Sequence, residues 1–283
     1  MPPRATPTQR QRRLGTEIRK MRTEAGLSAE YVAGLLGVDR GKVSNIESGI
    51  RNISADRLRT LATHCECTDE QYLSALAELT EAPQRNWWDE YRGRLSSGLL
   101  DIVELEWHAA RIQTIQTIHV PGLLQTEDYA RSVFTAVLPS LPRLEVELRV
   151  AHRMDRQRVL NRERPVAYVG YVHEAALRML FGGRDATKNQ LNALIKASER
   201  DNVTIRVVPV ERGSFPGAGH ALLYAEGPVP QLDTVQLDSA HGPEFMHAEL
   251  QLAKYRAHLQ WMDTSCLSPR ASRDFIHSVI REL

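Results

Sequence analysis

The chain has 283 residues, 42% hydrophobic and 25% charged, with a formal net charge of +1; it is long enough for a sizeable core, and its size favours two domains over one. No segment approaches the roughly 20 consecutive apolar residues that span a bilayer, and the opening MPPRATPTQRQRR lacks the apolar stretch of a secretory signal, which argues against membrane and exported classes and places the protein in the cytoplasm. The three cysteines, Cys65, Cys67 and Cys266, do not suggest a disulfide framework. Cys65 and Cys67 have no nearby His or Cys to complete a four-ligand site, so neither a metal nor a cofactor is expected.

The near-neutral total hides an asymmetry. Residues 1–60 hold 12 Lys and Arg against 6 Asp and Glu, a net +6, and the remainder sums to −5. A basic module on a weakly acidic body is what attraction to phosphate requires, although a solvated tail gives the same count; residues 1–12 are read as that basic, flexible tail.

From residue 14 the pattern LGTEIRKMRTEA places Leu14, Ile18, Met21 and Ala25 on one helical face, ending at Gly26. Ser28 caps a short second helix with Val32, Leu35 and Leu36 inward, stopped by Gly37. Asp39 caps a third, RGKVSNIES, in which Val43 and Ile46 form the buried pair while Arg40, Lys42, Ser44 and Asn45 stay polar. Gly49 ends it; a fourth helix begins at Ser54, and a fifth runs over 69–79.

Leu14-Gly15, Arg22, Ala25-Gly26-Leu27-Ser28, Leu36-Gly37-Val38 and Val43 to Gly49 together resemble the helix-turn-helix of the phage-repressor or xenobiotic-response-element family over about residues 13–80. Where that family often carries Gln after the N-cap of the second helix, this chain has Ala29. The resemblance implies a third helix in the major groove of DNA, with Arg40, Gly41 and Asn45 at base edges. Arg40 suits guanine and Asn45 adenine, because each forms two parallel hydrogen bonds there. Lys42, Ser44 and Arg51, with Ser28 and the exposed amides at the start of the second helix, would contact phosphate. The resemblance also implies that Arg22 and Glu47 form a structural ion pair. A homodimer on a two-fold operator is expected because one helix reads only a few base pairs. The bland alternative is a solvated surface helix.

Residues 61–81 contain five acidic side chains and no Lys or Arg, and Pro83 follows, which sets the domain boundary near residue 82. Trp87, Trp88 and Tyr91 then dock a linker helix, or form a stacking platform. Beyond them the spacing predicts strands around 112–120 and at 166–172, 203–210, 221–226 and 234–238, and helices from Thr126 and at 143–161, 174–181, 187–199, 244–263 and 271–282. The expected architecture is multidomain: an all-α five-helix domain over 13–82, then an α/β domain over 83–283 with a mixed sheet of about five strands.

Pro121 to Thr126 with Tyr129-Ala130, Arg149 with Arg153, Arg156 and Gln157, Glu174 to Arg178, Gly182-Gly183 with Gln190-Leu191, and Val203 to Pro209 resemble the domain that follows a helix-turn-helix in actinobacterial, WhiJ-like regulators. That resemblance implies control of development or secondary metabolism, and antitoxin-like pairing with a small partner protein. Arg149, Arg153 and Arg156 share a helical face and, with Glu174, form a candidate ligand or partner site; the alternative is that the arginines pair with Glu104, Glu106, Glu145 or Glu174. The loop GSFPGAG at 213–219 lacks a nucleotide-binding signature, and neither HExxH nor a Gly-x-Ser-x-Gly elbow occurs. The carboxylate after His173, Glu174, fits a helix-start charge as well as acid-base work. No enzyme is expected. Leu250, Leu252, Trp261 and Ile276 are candidates for the dimer surface or for core.

Overall fold

The computed structural model describes residues 6–81, 85–215, 220–239 and 241–283. The chain divides into two compact units, the first reaching Glu90 and the second starting at Tyr91.

The first unit is five helices: α1 Gln9–Glu24, α2 Ala29–Leu35, α3 Arg40–Glu47, α4 Ala55–His64 and α5 Glu70–Leu79. Ser28 and Asp39 are the expected caps of α2 and α3, and Ser54 and Asp69, where the fourth and fifth helices were expected to start, cap α4 and α5. Residues 9–12, taken as part of a flexible tail, are helical. Thr8 and Gln11 form a reciprocal capping box, so α1 starts five residues before the apolar pattern does. Leu14, Ile18, Val32, Val43, Ile46, Leu58, Leu61 and Leu76 fill the core.

Two features seat α1 against its neighbours. Arg13 donates to Glu17 at 2.8 Å and the Tyr72 hydroxyl donates to the other carboxylate oxygen at 2.7 Å, an ion pair with side chains 6% and 3% exposed. At Gly15, a Cβ would lie 2.5 Å from the Glu47 carbonyl oxygen and 2.6 Å from that of Ile46, so α1 crosses the end of α3 nearly backbone to backbone.

The second unit opens on Tyr91, whose ring meets His152 edge-on at 4.9 Å and whose hydroxyl donates to Asp155 at 2.6 Å. This anchor places the division some eight residues after the boundary expected near 82; residues 82–84, including Pro83, lie outside the described residues. Trp87–Tyr91 is a short 3-10 turn, with Trp87 and Trp88 edge-on at 5.6 Å.

The sheet has six strands rather than about five: β1 Arg111–Gln116, β2 Ala167–His173, β3 Val203–Val208, β4 Leu222–Glu226, β5 Thr234–Ser239 and β6 Gly242–Met246, in the order β3-β2-β1-β4-β5-β6. β1, β2 and β3 run parallel; β4, β5 and β6 form an antiparallel continuation. Residues 244–246, expected in a helix, are the edge strand β6. Its Pro243 removes a backbone donor, which is tolerated at a sheet edge and conceals the strand from pattern reading.

The helices are α6 Ser97–His108, α7 Glu127–Thr135, α8 Arg143–Arg156, α9 Arg158–Asn161, α10 Glu174–Arg178, α11 Gly183–Ala197, α12 Glu249–Ser265 and α13 Pro269–Glu282. α6 was not anticipated: Leu99, Leu100, Ile102, Val103 and Leu105 surround it on most sides, so it has little amphipathic signature. One sheet face packs Ile112, Tyr168 and Ile205 with Leu191 of α11 and Ile276 of α13, and the other packs Ile115, Tyr171 and Tyr224 with Leu252 and Met262 of α12. Of the candidates for a dimer surface, Leu252 and Ile276 are therefore core, Trp261 packs against it, and Leu250 is exposed. Arg206 on β3 donates to the carbonyls of Asp263, Cys266 and Leu267, a cation at the carboxyl end of α12.

His152 is buried on α8, and burial, then the neighbouring Arg156 and Arg153, lowers its pKa from 6.5 to about 3. The unfolded chain binds this proton below about pH 6.5 and the folded one does not, so the contribution is complete above that pH and is lost as pH falls toward 3. Urea unfolding at stepped pH should show the second unit weakening below 6.5, by up to about 1.4 kcal/mol per unit from this group, and His152→Gln should flatten the slope. An unchanged slope in the variant would remove His152 as the cause.

Candidate nucleic-acid interface

α2 and α3 are joined by a tight turn. Gly37 adopts φ +62°, and Val38 donates to the Ala33 carbonyl at 2.9 Å, closing α2 with a left-handed residue that glycine accepts without strain. Val43 and Ile46 then bury, and this sets α3 with Arg40, Gly41 and Ser44 exposed and Lys42 and Asn45 half-exposed.

The cations on this face sit in surface ion pairs. Arg40 meets Glu30 of α2 at 2.8 Å, with both side chains more than half exposed, and Lys42 meets Asp39 at 3.0 Å. The Lys42 ammonium, then its own amide, holds the Asp39 carboxyl below the ordinary carboxylate range. Such exposed pairs contribute little to stability. The Asn45 and Ser44 side chains have no hydrogen-bond partner among the described residues, and Arg51 stands exposed in the following loop. Ser28 uses its hydroxyl to accept from the Tyr31 amide at 3.1 Å. A Cβ at Gly41 would meet only the Asp39 carboxylate, at 3.2 Å, so nothing crowds the approach to the start of α3.

Behind that face Arg22 donates to both Glu47 oxygens, at 2.5 and 3.1 Å, and to the Leu27 carbonyl at 2.8 Å. The hydrogen bond that Arg22 donates to Glu47 raises the Arg22 pKa against the opposing effect of burial. The pair ties α1 to the end of α3 and to the residue that precedes the α2 cap, so it orients the exposed face of α3 from within. Sequence reasoning missed the second buried pair, Arg13 and Glu17, because charges four residues apart on a helix ordinarily mark a solvated face.

In the second unit the arginine cluster separates. Arg149 pairs with Glu145 at 2.6 Å, and Arg156 makes two hydrogen bonds to Glu106 at 2.9 and 2.6 Å, deeply buried. Arg153 donates to the neutral Gln125 side chain at 2.5 Å and lies over the Phe134 ring at 4.6 Å. Glu174 is elsewhere, held by Arg178 at 2.6 Å and by the Val210 amide at 2.9 Å, while His173 caps α10 through Nδ1. The Gly-rich loop falls in part outside the described residues, at 216–219.

Three glutamines build the turn Gly122–Leu124 next to Arg153. Gln125 donates to the Val120 carbonyl, Gln157 donates to the Gln125 carbonyl, and Gln190 accepts from the Thr126 amide while donating to the Leu124 carbonyl. The signal for this node was the PGLLQT run itself, whose polar residues have no solvated role.

A cap-turn-helix with an outward polar face, braced from within by a half-buried ion pair, defines a helix-turn-helix DNA-binding transcriptional regulator, and residues 13–84 match the helix-turn-helix domain family. Residues 99–278, more than half of the chain, match the domain of unknown function DUF5753, and the chain belongs to that family. No curated protein and no solved structure matches it. Among the described residues no helix is long and apolar enough to cross a membrane, and no group of three or more His, Cys, Asp or Glu could hold a metal ion.

Proposed function

We propose that the protein is a sequence-specific, non-enzymatic transcriptional regulator of the xenobiotic-response-element type, working in the cytoplasm as a homodimer on a two-fold operator. The observation that carries this reading is the division of α3, with Val43 and Ile46 inward and Arg40, Gly41, Ser44 and Asn45 outward. In this reading α3 lies in the major groove, Arg40 reads guanine and Asn45 adenine, and Lys42, Ser44, Ser28 and Arg51 bind phosphate. The second unit sets the activity, through a small effector or through a small partner protein in the antitoxin-like, WhiJ-like manner. The cavity described below favours the effector.

Selection of genomic DNA fragments by the purified full chain at physiological salt is expected to return a two-fold motif that an Arg40→Ala, Asn45→Ala double variant loses. On that motif Arg40→Ala should cost about 1–3 kcal/mol and relax one base position, while Lys42→Ala should weaken all sequences alike. Equal losses on motif and random DNA for Arg40→Ala would sink the assignment of base reading to α3.

A further inference from the structure

A cavity of about 200 Å³ opens in the second unit between α6, the Gly122–Leu124 turn, α8 and the sheet. It is smaller than the roughly 300 Å³ from which pockets for drug-sized molecules begin, a size suited to a small metabolite. Leu99, Ile102, Leu123 and Leu223 supply an apolar wall.

Most of its polar lining is already satisfied. Glu106 and Arg156 neutralise each other, and the Thr114 and Tyr168 hydroxyls share one hydrogen bond at 2.6 Å. Two charges are left. Arg153 has no carboxylate within 4.0 Å among the described residues, and its Nε is sealed from solvent with no hydrogen-bond partner. Asp238 likewise has no cation within that distance among the described residues, and receives one hydrogen bond, from Gln236 at 2.8 Å. The two do not pair with each other, yet both line the cavity.

An enclosed guanidinium donor with no acceptor is costly unless something supplies one, and two unpaired opposite charges beside an aliphatic wall match a molecule carrying both signs on an apolar body. We infer that this cavity is a binding site for a small zwitterion of the amino-acid class, its carboxylate on Arg153 and its ammonium toward Asp238. The Gln125 side chain, fixed by the Val120 carbonyl, positions Arg153 for this contact. A single monoanion would make no use of Asp238, which stands exposed beside the cavity, and a dianionic phosphate would be repelled by it.

The inference rests on the effector form of the regulatory reading, but its test needs no DNA, so failure of ligand binding and failure of operator recognition are separate results. The test is isothermal titration calorimetry of the full chain with each of the twenty amino acids, and with 4-methylpentanoate and 3-methylbutylamine, which are leucine without its ammonium and without its carboxylate. Saturable binding of one aliphatic amino acid per chain is expected, at least tenfold tighter than either leucine analogue if leucine is that ligand. Arg153→Gln should abolish it. Asp238→Asn, at an exposed position that leaves the core untouched, should erase the preference for leucine over 4-methylpentanoate. No binding by any of the twenty overturns the site, and so does undiminished binding in Arg153→Gln; equal affinity for leucine and 4-methylpentanoate in the unaltered protein overturns the zwitterion assignment.

Discussion

Glu106→Ala is expected to lower the stability of the second unit by about 3–5 kcal/mol, the range for breaking a buried ion pair on one side. Glu106 and Arg156 are 1% and 8% exposed and joined by two hydrogen bonds, at 2.9 and 2.6 Å. Burial alone would lower the Arg156 pKa, and the facing carboxylate more than reverses this, so the pKa is raised. Without Glu106 the guanidinium remains charged and enclosed with no counter-ion of its own. Urea unfolding of the full chain reads the loss. A Glu106→Met, Arg156→Met double variant should recover most of it, because two apolar side chains leave no charge to desolvate. A single variant costing under about 1 kcal/mol would contradict the picture of a sealed pair, whose threshold is the weakness of exposed ones.

The same substitution at two glycines of the first unit should act with opposite signs. At Gly15 a new Cβ meets two backbone carbonyl oxygens of α3 at 2.5 and 2.6 Å. Backbone cannot rotate away as a side chain can, so α1 and α3 must part. Gly15→Ala is expected to destabilise by about 1–3 kcal/mol even after the helix-forming advantage of alanine, and to shift α3, which on the proposed reading weakens DNA binding. At Gly34, in α2, a Cβ meets nothing within 4 Å, so Gly34→Ala should be stabilising by about 0.5–1 kcal/mol. Thermal unfolding of both variants decides it, and shifts of the same sign would show that the close crossing of α1 and α3 is not what holds Gly15.

The five helices of the first unit were legible because four begin at a readable capping side chain or turn and all end near a glycine or a change of pattern, whereas the start of α1 at Thr8 was hidden in the basic run that precedes Leu14; such signals are local. The six-stranded sheet was legible where β-branched runs such as Val203–Val208 stand between turn residues, and illegible at β6, where Pro243 breaks the pattern. α6 escaped because an element enclosed on most sides loses the alternation that pattern reading needs. The arginines of α8 stood between a ligand site and pairing with nearby glutamates; Arg149 and Arg156 take the second course with Glu145 and Glu106, but which glutamate each would meet was not legible, and Gln125, 28 residues away from Arg153, was not among the expected partners. Partners at that separation are set by topology, and the order of the strands is not written in any local pattern.

The bonds that secure the Gly122–Leu124 turn come from amide side chains and backbone, whereas Arg40 and Lys42 are held by exposed carboxylates. Mobile ions screen the second kind of contact and leave the first almost untouched. A change in ionic strength therefore loosens the Arg40 and Lys42 side chains while the turn that lines the cavity keeps its shape, so salt acts on the exposed face of α3 and spares the interior of the second unit.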